Sequence, residues 1–393
     1  MDATTHNSQS ESTQPSSYEF EGRQVDIRPN AQADASGLLT DAVFIDGRPL
    51  GVRTKVGGYC SAINFYQTFA TLQATANAAV VALAGRPVPL LRSDREGKLP
   101  EGLPDLDDPN LEVRRRKDLL RMTPAERNRF VEAVLTLKEN SDFYDDMVKV
   151  HMDTMTEEGH MWGAHRNVLL PWHRLYLYHF ESLLRAQKGF EDVTLPYWNW
   201  TNPPRKHVLP FTVDFMGGGG VPFGEIDIRY KVMEGPFAYD RGKWSIVPDG
   251  IGGVEYLQRR EENSFFDTII VELNELHRVL DIDRYAAPDD QGFNYQLNQR
   301  LHDVVHNEVG GTMGSTGSPS DPIFWLHHCM LDKVWADWQE RYPDAPQYEN
   351  TPGYHPDFDP DQTPLEPWLI DIDRRVTINQ LIGYKRLYVY EPS

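Results

Sequence analysis

Apolar positions along the chain change their period about a quarter of the way in. Between Tyr18 and about Leu91 they come in short runs broken by glycine. AVFIDGRPLGVRT places Asp46-Gly47 between two apolar pieces, the signal of a hairpin, and Gly57-Gly58 separates it from another strand-like piece, YCSAINFY. Thr71 to Ala84 is alanine-rich with Gly85 just beyond, which predicts a helix closed by a left-handed glycine. This pattern predicts a small α+β domain over residues 18–91, preceded by a polar, disordered tail over 1–17. Residues 92–110, ending in KLPEGLPDLDDPN, show no periodicity and read as an extended, acidic, proline-rich linker.

From residue 111 the period becomes helical. Thr123 with Pro124 and Glu126 reads as a helix start, followed by an apolar stripe of Phe130, Val134 and Leu137. Phe143, Met147, Val150, His151 and Met155 repeat that spacing, which puts His151 on a buried face, and Trp172 to Gln187 predicts a further helix with His173 near its start. Thr212 to Gly253, rich in glycine, proline and aromatics, reads as irregular loops. Residues 111–393 are therefore expected to form a mainly α domain, and a length of 393 residues agrees with two domains in all.

A formal charge of −20 argues against nucleic acid and anionic membrane surfaces as partners. No apolar run approaches the ~20 residues that span a bilayer. Cys60 and Cys329 are the only cysteines, so no disulfide framework is implied, and a cytoplasmic location is expected, with no export signal visible.

Eleven of the thirteen histidines fall between His151 and His328. His302 and His306 are four apart and share one helix face, the spacing at which two imidazoles can chelate one metal ion. A third nitrogen can come from the His327-His328 pair after Asp321-Pro322. Upstream, His151, His165 and His173 form a second group. His160, His179, His207 and His277 are read as packing or surface residues. Imidazole ligation alone suits copper, zinc or iron.

The stretch DPIFWLHHCMLD matches D-P-x-F-W-x-x-H-x-x-x-D through Asp321, Pro322, Phe324, Trp325, His328 and Asp332, and Pro171-Trp172-His173-Arg174 with Glu181 matches a second signature. In these motifs, over roughly Val113 to Tyr390, the chain resembles the tyrosinase family of type 3 dicopper proteins, whose relatives include catechol oxidases and molluscan haemocyanins. The resemblance implies an antiparallel helical bundle holding two copper ions on His151, His165 and His173 and on His302, His306 and His328, with His327 a neighbour. It implies O2 as co-substrate and small phenols as substrate. Leu195 to Trp200 is similar to the family's LPYWDW segment, Asn199 replacing its Asp, and Asp332 and Glu181 are the expected acceptors that orient the imidazoles.

In family members that hydroxylate monophenols well, an asparagine follows the first ligand of the second copper and a glutamate holds a water. Here those places fall to Asp303 and Asn298. This implies oxidation of o-diphenols or o-aminophenols with weak or no monophenol hydroxylation. The alternatives are a full tyrosinase with monophenol monooxygenase activity and a haemocyanin-like oxygen-binding protein.

A second resemblance covers Val43 to Leu90. FIDGRPL, YCSAINFY and the alanine-rich helix are similar to the caddie protein that accompanies bacterial tyrosinases and inserts a tyrosine into the copper pocket. It implies that Tyr66 plugs the pocket of the same chain, leaving the enzyme latent. The caddie's copper-carrying histidine and methionine fall at Gly51 and Arg53, so copper ferrying does not carry over.

Overall fold

The computed structural model describes residues 15–32, 38–55, 57–83, 85–88, 99–156, 168–201, 210–221, 230–242, 244–247, 254–260, 271–350, 359–371 and 374–392. Strands β1 (Ser16–Phe20), β2 (Arg23–Ile27), β3 (Leu38–Leu39), β4 (Val43–Ile45), β5 (Arg48–Pro49), β6 (Val52–Lys55) and β7 (Gly58–Ser61) precede helix α1 (Leu72–Leu83). They form two antiparallel sheets, ordered β1-β2-β4-β5 and β3-β6-β7. The β4–β5 hairpin turns at Asp46 (φ 49°) and Gly47 (φ 75°), the left-handed pair expected of a two-residue turn. Val25, Val43, Val52, Leu72, Ala76 and Leu83 close a core of their own between the sheets and α1. Cys60, Phe65 and Tyr66 leave it and pack instead into the larger core of the rest of the chain.

That larger core is helical. Its elements are strand β8 (Arg114–Arg116), then α2 (Pro124–Asn140), α3 (Phe143–Thr156), α4 (Leu169–Arg185), α5 (Leu273–Leu280), α6 (Phe293–Leu297), α7 (Asp303–Val309) and α8 (Ile323–Arg341). The chain closes with β9 (Pro364–Asp371), β10 (Arg374–Thr377), α9 (Ile378–Ile382) and β11 (Tyr388–Tyr390), the last paired in parallel with β8. α2 begins as the sequence predicts: Thr123 caps the Glu126 N–H while the Glu126 carboxylate accepts from the Thr123 N–H. α4 starts at Leu169, three residues before the expected Trp172, and every residue from Leu169 to Leu184 is buried. A helix apolar or paired all round sits at the centre of a bundle, and α8 packs directly along it.

Of the expected linker, residues 99–110 are described. Residues 99–110 run against the helical core, with Leu106 buried and Leu99 and Leu103 packed on it. At Gly102 a Cβ would come within 2.9 Å of Leu183 Cδ2 on α4. The leucines there have apolar surface to cover and join this core, whereas composition alone registers proline and acid. No helix among the described residues is long and apolar enough to cross a membrane.

Candidate metal centre

Four helices deliver imidazoles to one place. His151 comes from α3, His173 from α4, His302 from the π turn Asn298–His302 that joins α6 to α7, His306 from α7, and His327 and His328 from α8. All six are fully or almost fully buried. A π turn inserts an extra residue into the helical ladder, a distortion common at functional sites. Here the Asp303 N–H reaches back to the Asn298 carbonyl, and the Asn298 side chain lies beside the His302 ring.

One nitrogen of most rings is already committed. Nδ1 of His151 bonds the Thr316 carbonyl (2.8 Å), that of His173 the Leu169 carbonyl (2.9 Å) and that of His306 the Met313 carbonyl (2.7 Å). Nδ1 of His302 meets two oxygens, Asn298 Oδ1 at 2.8 Å and Asp303 Oδ1 at 2.9 Å. Each carbonyl demands a proton on Nδ1 and leaves Nε2 as a bare lone pair. The Nε2 atoms of His151 and His173 are buried without a hydrogen-bond partner among the described residues.

The ligand atoms of His302, His306, His327 and His328 lie within 4.8 Å of one another, and the Nε2 atoms of His306 and His328 are 3.1 Å apart. His173 stacks on His328 with centroids 4.2 Å apart, and His151 lies 5.8 Å from His173. Burial keeps these rings neutral: it pushes His151 down to about 3, and His173, His306, His327 and His328 well below the usual histidine range, neighbouring imidazoles adding to the effect. Neutral, buried, oriented imidazoles with unused lone pairs fit a metal such as copper.

Of the expected ligands, His151, His173, His302, His306 and His328 are thus brought together, and His165 lies outside the described residues, as do His160 and His207. His327, expected as a neighbour of the ligands, lies in the tight group of four; Trp200 Nε1 donates to its Nδ1 at 3.2 Å, which puts the proton of the neutral ring on Nε2. His179 points away, its Nδ1 accepting from Trp368 Nε1. The expected role of Glu181 and Asp332 is corrected: their hydrogen bonds among the described residues go elsewhere than to imidazoles. Glu181 takes Arg114 (2.9 Å), Arg116 (3.0 Å) and the Leu195 N–H (2.8 Å), while Asp332 takes Arg174 (2.6 Å) and the hydroxyls of Tyr388 and Tyr390. Backbone carbonyls orient His151, His173 and His306 instead, and the side chains of Asn298 and Asp303 orient His302.

Into this centre comes Tyr66 from the N-terminal sheets. Its ring lies parallel to His306, 12° apart in plane and 3.7 Å between centroids, and meets His302 edge-on at 5.2 Å. Its hydroxyl is 3.2 Å from Ser318 Oγ.

Residues 141–341 match the model of the common central domain of tyrosinase, and residues 1–91 match that of the tyrosinase co-factor MelC1. The chain is 35% identical over 318 residues to grixazone synthase of Streptomyces griseus, which aligns over 70% of this chain and 98% of that protein. It is 38% identical over 242 residues to the tyrosinase of Streptomyces glaucescens, over 58% of this chain and 83% of the other. Among solved structures, recombinant mushroom tyrosinase superposes with a TM-score of 0.48 at 18% identity, over 71% of this chain and 61% of that one. The central-domain match covers just over half of the sequence and sits on the helices that gather the imidazoles, so the chain belongs to the tyrosinase family: it is a dicopper oxidoreductase that uses O2 on phenolic compounds, with a caddie-like domain fused at its N-terminal side.

Proposed function

We propose that this chain oxidises o-diphenols, and o-aminophenols in the same way, to o-quinones and their imines, and that Tyr66 holds it latent. The observation that carries the reading is a phenol ring of the chain itself, stacked at 3.7 Å on His306 where a substrate ring must go. Residues 18–91 act as the plug domain, 92–110 as its connection and 111–393 as the catalytic domain. His151, His165 and His173 would hold one copper ion and His302, His306 and His328 the other. Bound copper supplies the path by which two electrons leave a coordinated catechol for dioxygen. Each catechol gives up two electrons and two protons, so two turnovers reduce one O2 to two waters.

Substrate preference follows from His302. A monophenol of pKa ~10 needs a base before its oxygen can coordinate. In this reading Asp303 and Asn298 are occupied in holding His302, both with an oxygen on its Nδ1, and the second oxygen of Asp303 accepts from Gln299 Nε2. A catechol, whose paired hydroxyls share the loss of protons, asks less of the protein. The experiment is oxygen uptake by the copper-loaded protein and Tyr66→Ala. Catechol turnover rises in the variant at equal copper per chain, and tyrosine is turned over more slowly than catechol. Unchanged turnover at unchanged copper ends the latency reading, and tyrosine turned over as fast as catechol ends the diphenol preference.

A further inference from the structure

The plug is held by its main chain as well as its ring. The Tyr66 carbonyl accepts from Asn307 Nδ2 at 3.0 Å, and the Phe65 N–H donates to the Gly314 carbonyl at 3.0 Å. Both partners are fixed to His306. Asn307 follows it on α7, and Gly314 follows Met313, whose carbonyl fixes the His306 ring. Ring stacking and peptide grip therefore share one rigid piece, which sets the distance between a bound phenol and a carbonyl on its side chain. Beside the grip lies a cavity of about 90 Å³, lined in part by Asn64, Gln67, Asn307, Gly310, Gly311 and Gly314. When residues 65–66 withdraw, the half-buried Asn307 amide and Gly314 carbonyl line the opened space and are available to hydrogen-bond what enters it.

Resting on the reading that a substrate ring replaces that of Tyr66, we infer that Asn307 and Gly314 form a peptide subsite. The open site selects catechols whose para side chain carries an amide carbonyl on the third atom from the ring. A dihydroxyphenylalanyl group has this shape, and inside a peptide it also brings the N–H of the preceding residue to Gly314. Asn307 is thus a specificity residue, giving in turn one hydrogen bond to the plug and one to the substrate.

The test compares three catechols on the copper-loaded full chain and on Asn307→Ala: 4-methylcatechol, N-acetyl-3,4-dihydroxyphenylalaninamide, and its N-acetylglycyl counterpart. Every substrate meets the same plug equilibrium, so the ratio of two kcat/KM values cancels it. In the native chain kcat/KM rises along the series. In Asn307→Ala the ratio of the acetyl amide to 4-methylcatechol falls about fivefold, the weight of one net hydrogen bond, while 4-methylcatechol itself is oxidised faster because the plug is looser. An unchanged ratio overturns the role of Asn307. A glycyl substrate no better than the acetyl amide overturns the role of Gly314 and leaves small amides as the class. If neither the native chain nor Tyr66→Ala oxidises any of the three, the oxidase reading fails and the subsite with it. A binding readout is independent of turnover. Fluorine NMR on the copper-free protein shows N-acetyl-4-fluorophenylalaninamide bound several-fold more weakly by Tyr66→Ala/Asn307→Ala than by Tyr66→Ala, with 4-fluorotoluene unaffected; equal weakening of both overturns the proposal.

Discussion

Tyr66 is a phenol kept from behaving as one. Burial raises its pKa far above the ordinary value, and the charge of Asp303 adds to this. Its grip on the site is stacking on His306, one hydroxyl contact to Ser318 and the peptide bonds of residues 65 and 66. Tyr66→Phe keeps the stack and loses one hydrogen bond, about 1 kcal/mol, so catechol turnover is expected to rise roughly fivefold at most, less than in Tyr66→Ala. Oxygen uptake with both variants checks the order; a larger effect in Tyr66→Phe would mean that the hydroxyl is the main anchor. The acid limit of the fold is set by its buried titrating groups, the imidazoles of the centre together with two groups away from it. Burial lowers His179 to about 4, so the unfolded chain takes up a proton first, and stability is full above about pH 6.5 and declines as pH falls toward 4. Burial alone would raise Glu181, but Arg116 and Arg114 prevail and hold it at about 2. Its contribution is therefore present above the unfolded carboxyl pKa, near 4.5, and is lost as pH falls toward 2. Thermal unfolding from pH 7 to pH 3 is expected to show both windows, and Glu181→Gln to lower Tm at pH 7 while flattening the lower one.

At the scale of elements, ionic clusters tie down the helices that bring the histidines. β8 and β11 clamp α4 to α8 through Arg116, Glu181, Asp332, Tyr388 and Tyr390, and Arg174 on α4 reaches Asp332 on α8. At the start of α8, Asp321 holds Arg259 through both oxygens at 2.8 Å, and Arg259 also donates to the carbonyls of residues 216–218. Both side chains are buried, so Arg259→Met leaves a lone carboxylate and is expected to cost about 3–5 kcal/mol in denaturant unfolding, with Asp321→Asn recovering part of the loss in the double variant. Full additivity would show that the pair does not couple. Such pairs explain which parts of the site were legible in the sequence. The imidazoles were, because their spacing on helices is itself the signal. The partners of their Nδ1 atoms were not, because carbonyls of Leu169, Met313 and Thr316 leave no mark in residue type. Glu181 and Asp332 stand on the ligand helices and invite the wrong assignment. The true partners of Glu181, Arg114 and Arg116, come from a strand some 65 residues before it, and those of Asp332 are Arg174, 158 residues before it, and Tyr388 and Tyr390, 56 and 58 residues after it. Neighbouring positions on a helix differ by about 100°, which normally separates His327 from His328, yet α8 is buried on nearly all sides and both rings face other imidazoles.

In the proposed latent state, fusing plug and catalytic core in one chain changes what latency depends on. A tethered phenol meets the site at an effective concentration on the order of mM, so an intrinsic affinity near ~1 μM leaves about one molecule in a thousand open, whatever the protein concentration. A separate plug chain would instead dissociate on dilution. Beyond Tyr66, Cys60 and Phe65 pack into the catalytic core and Arg86 reaches Tyr256, while residues 99–110 are docked on that core, Gly102 against Leu183 and Leu106 and Asp107 against Arg386 and Gln380, so a cut placed between residues 92 and 98 severs the tether and leaves the docked stretch with the catalytic part. Before the cut, specific activity on catechol is expected to stay constant from about 10 μM to about 10 nM protein. After it, specific activity rises on dilution, steeply around the intrinsic dissociation constant, and falls again when the sample is concentrated. An increase on dilution in the uncut protein would place the inhibiting tyrosine in a second copy of the chain. A cut protein that stays silent at every dilution would mean that the interface beyond Tyr66 holds the plug without help from the tether.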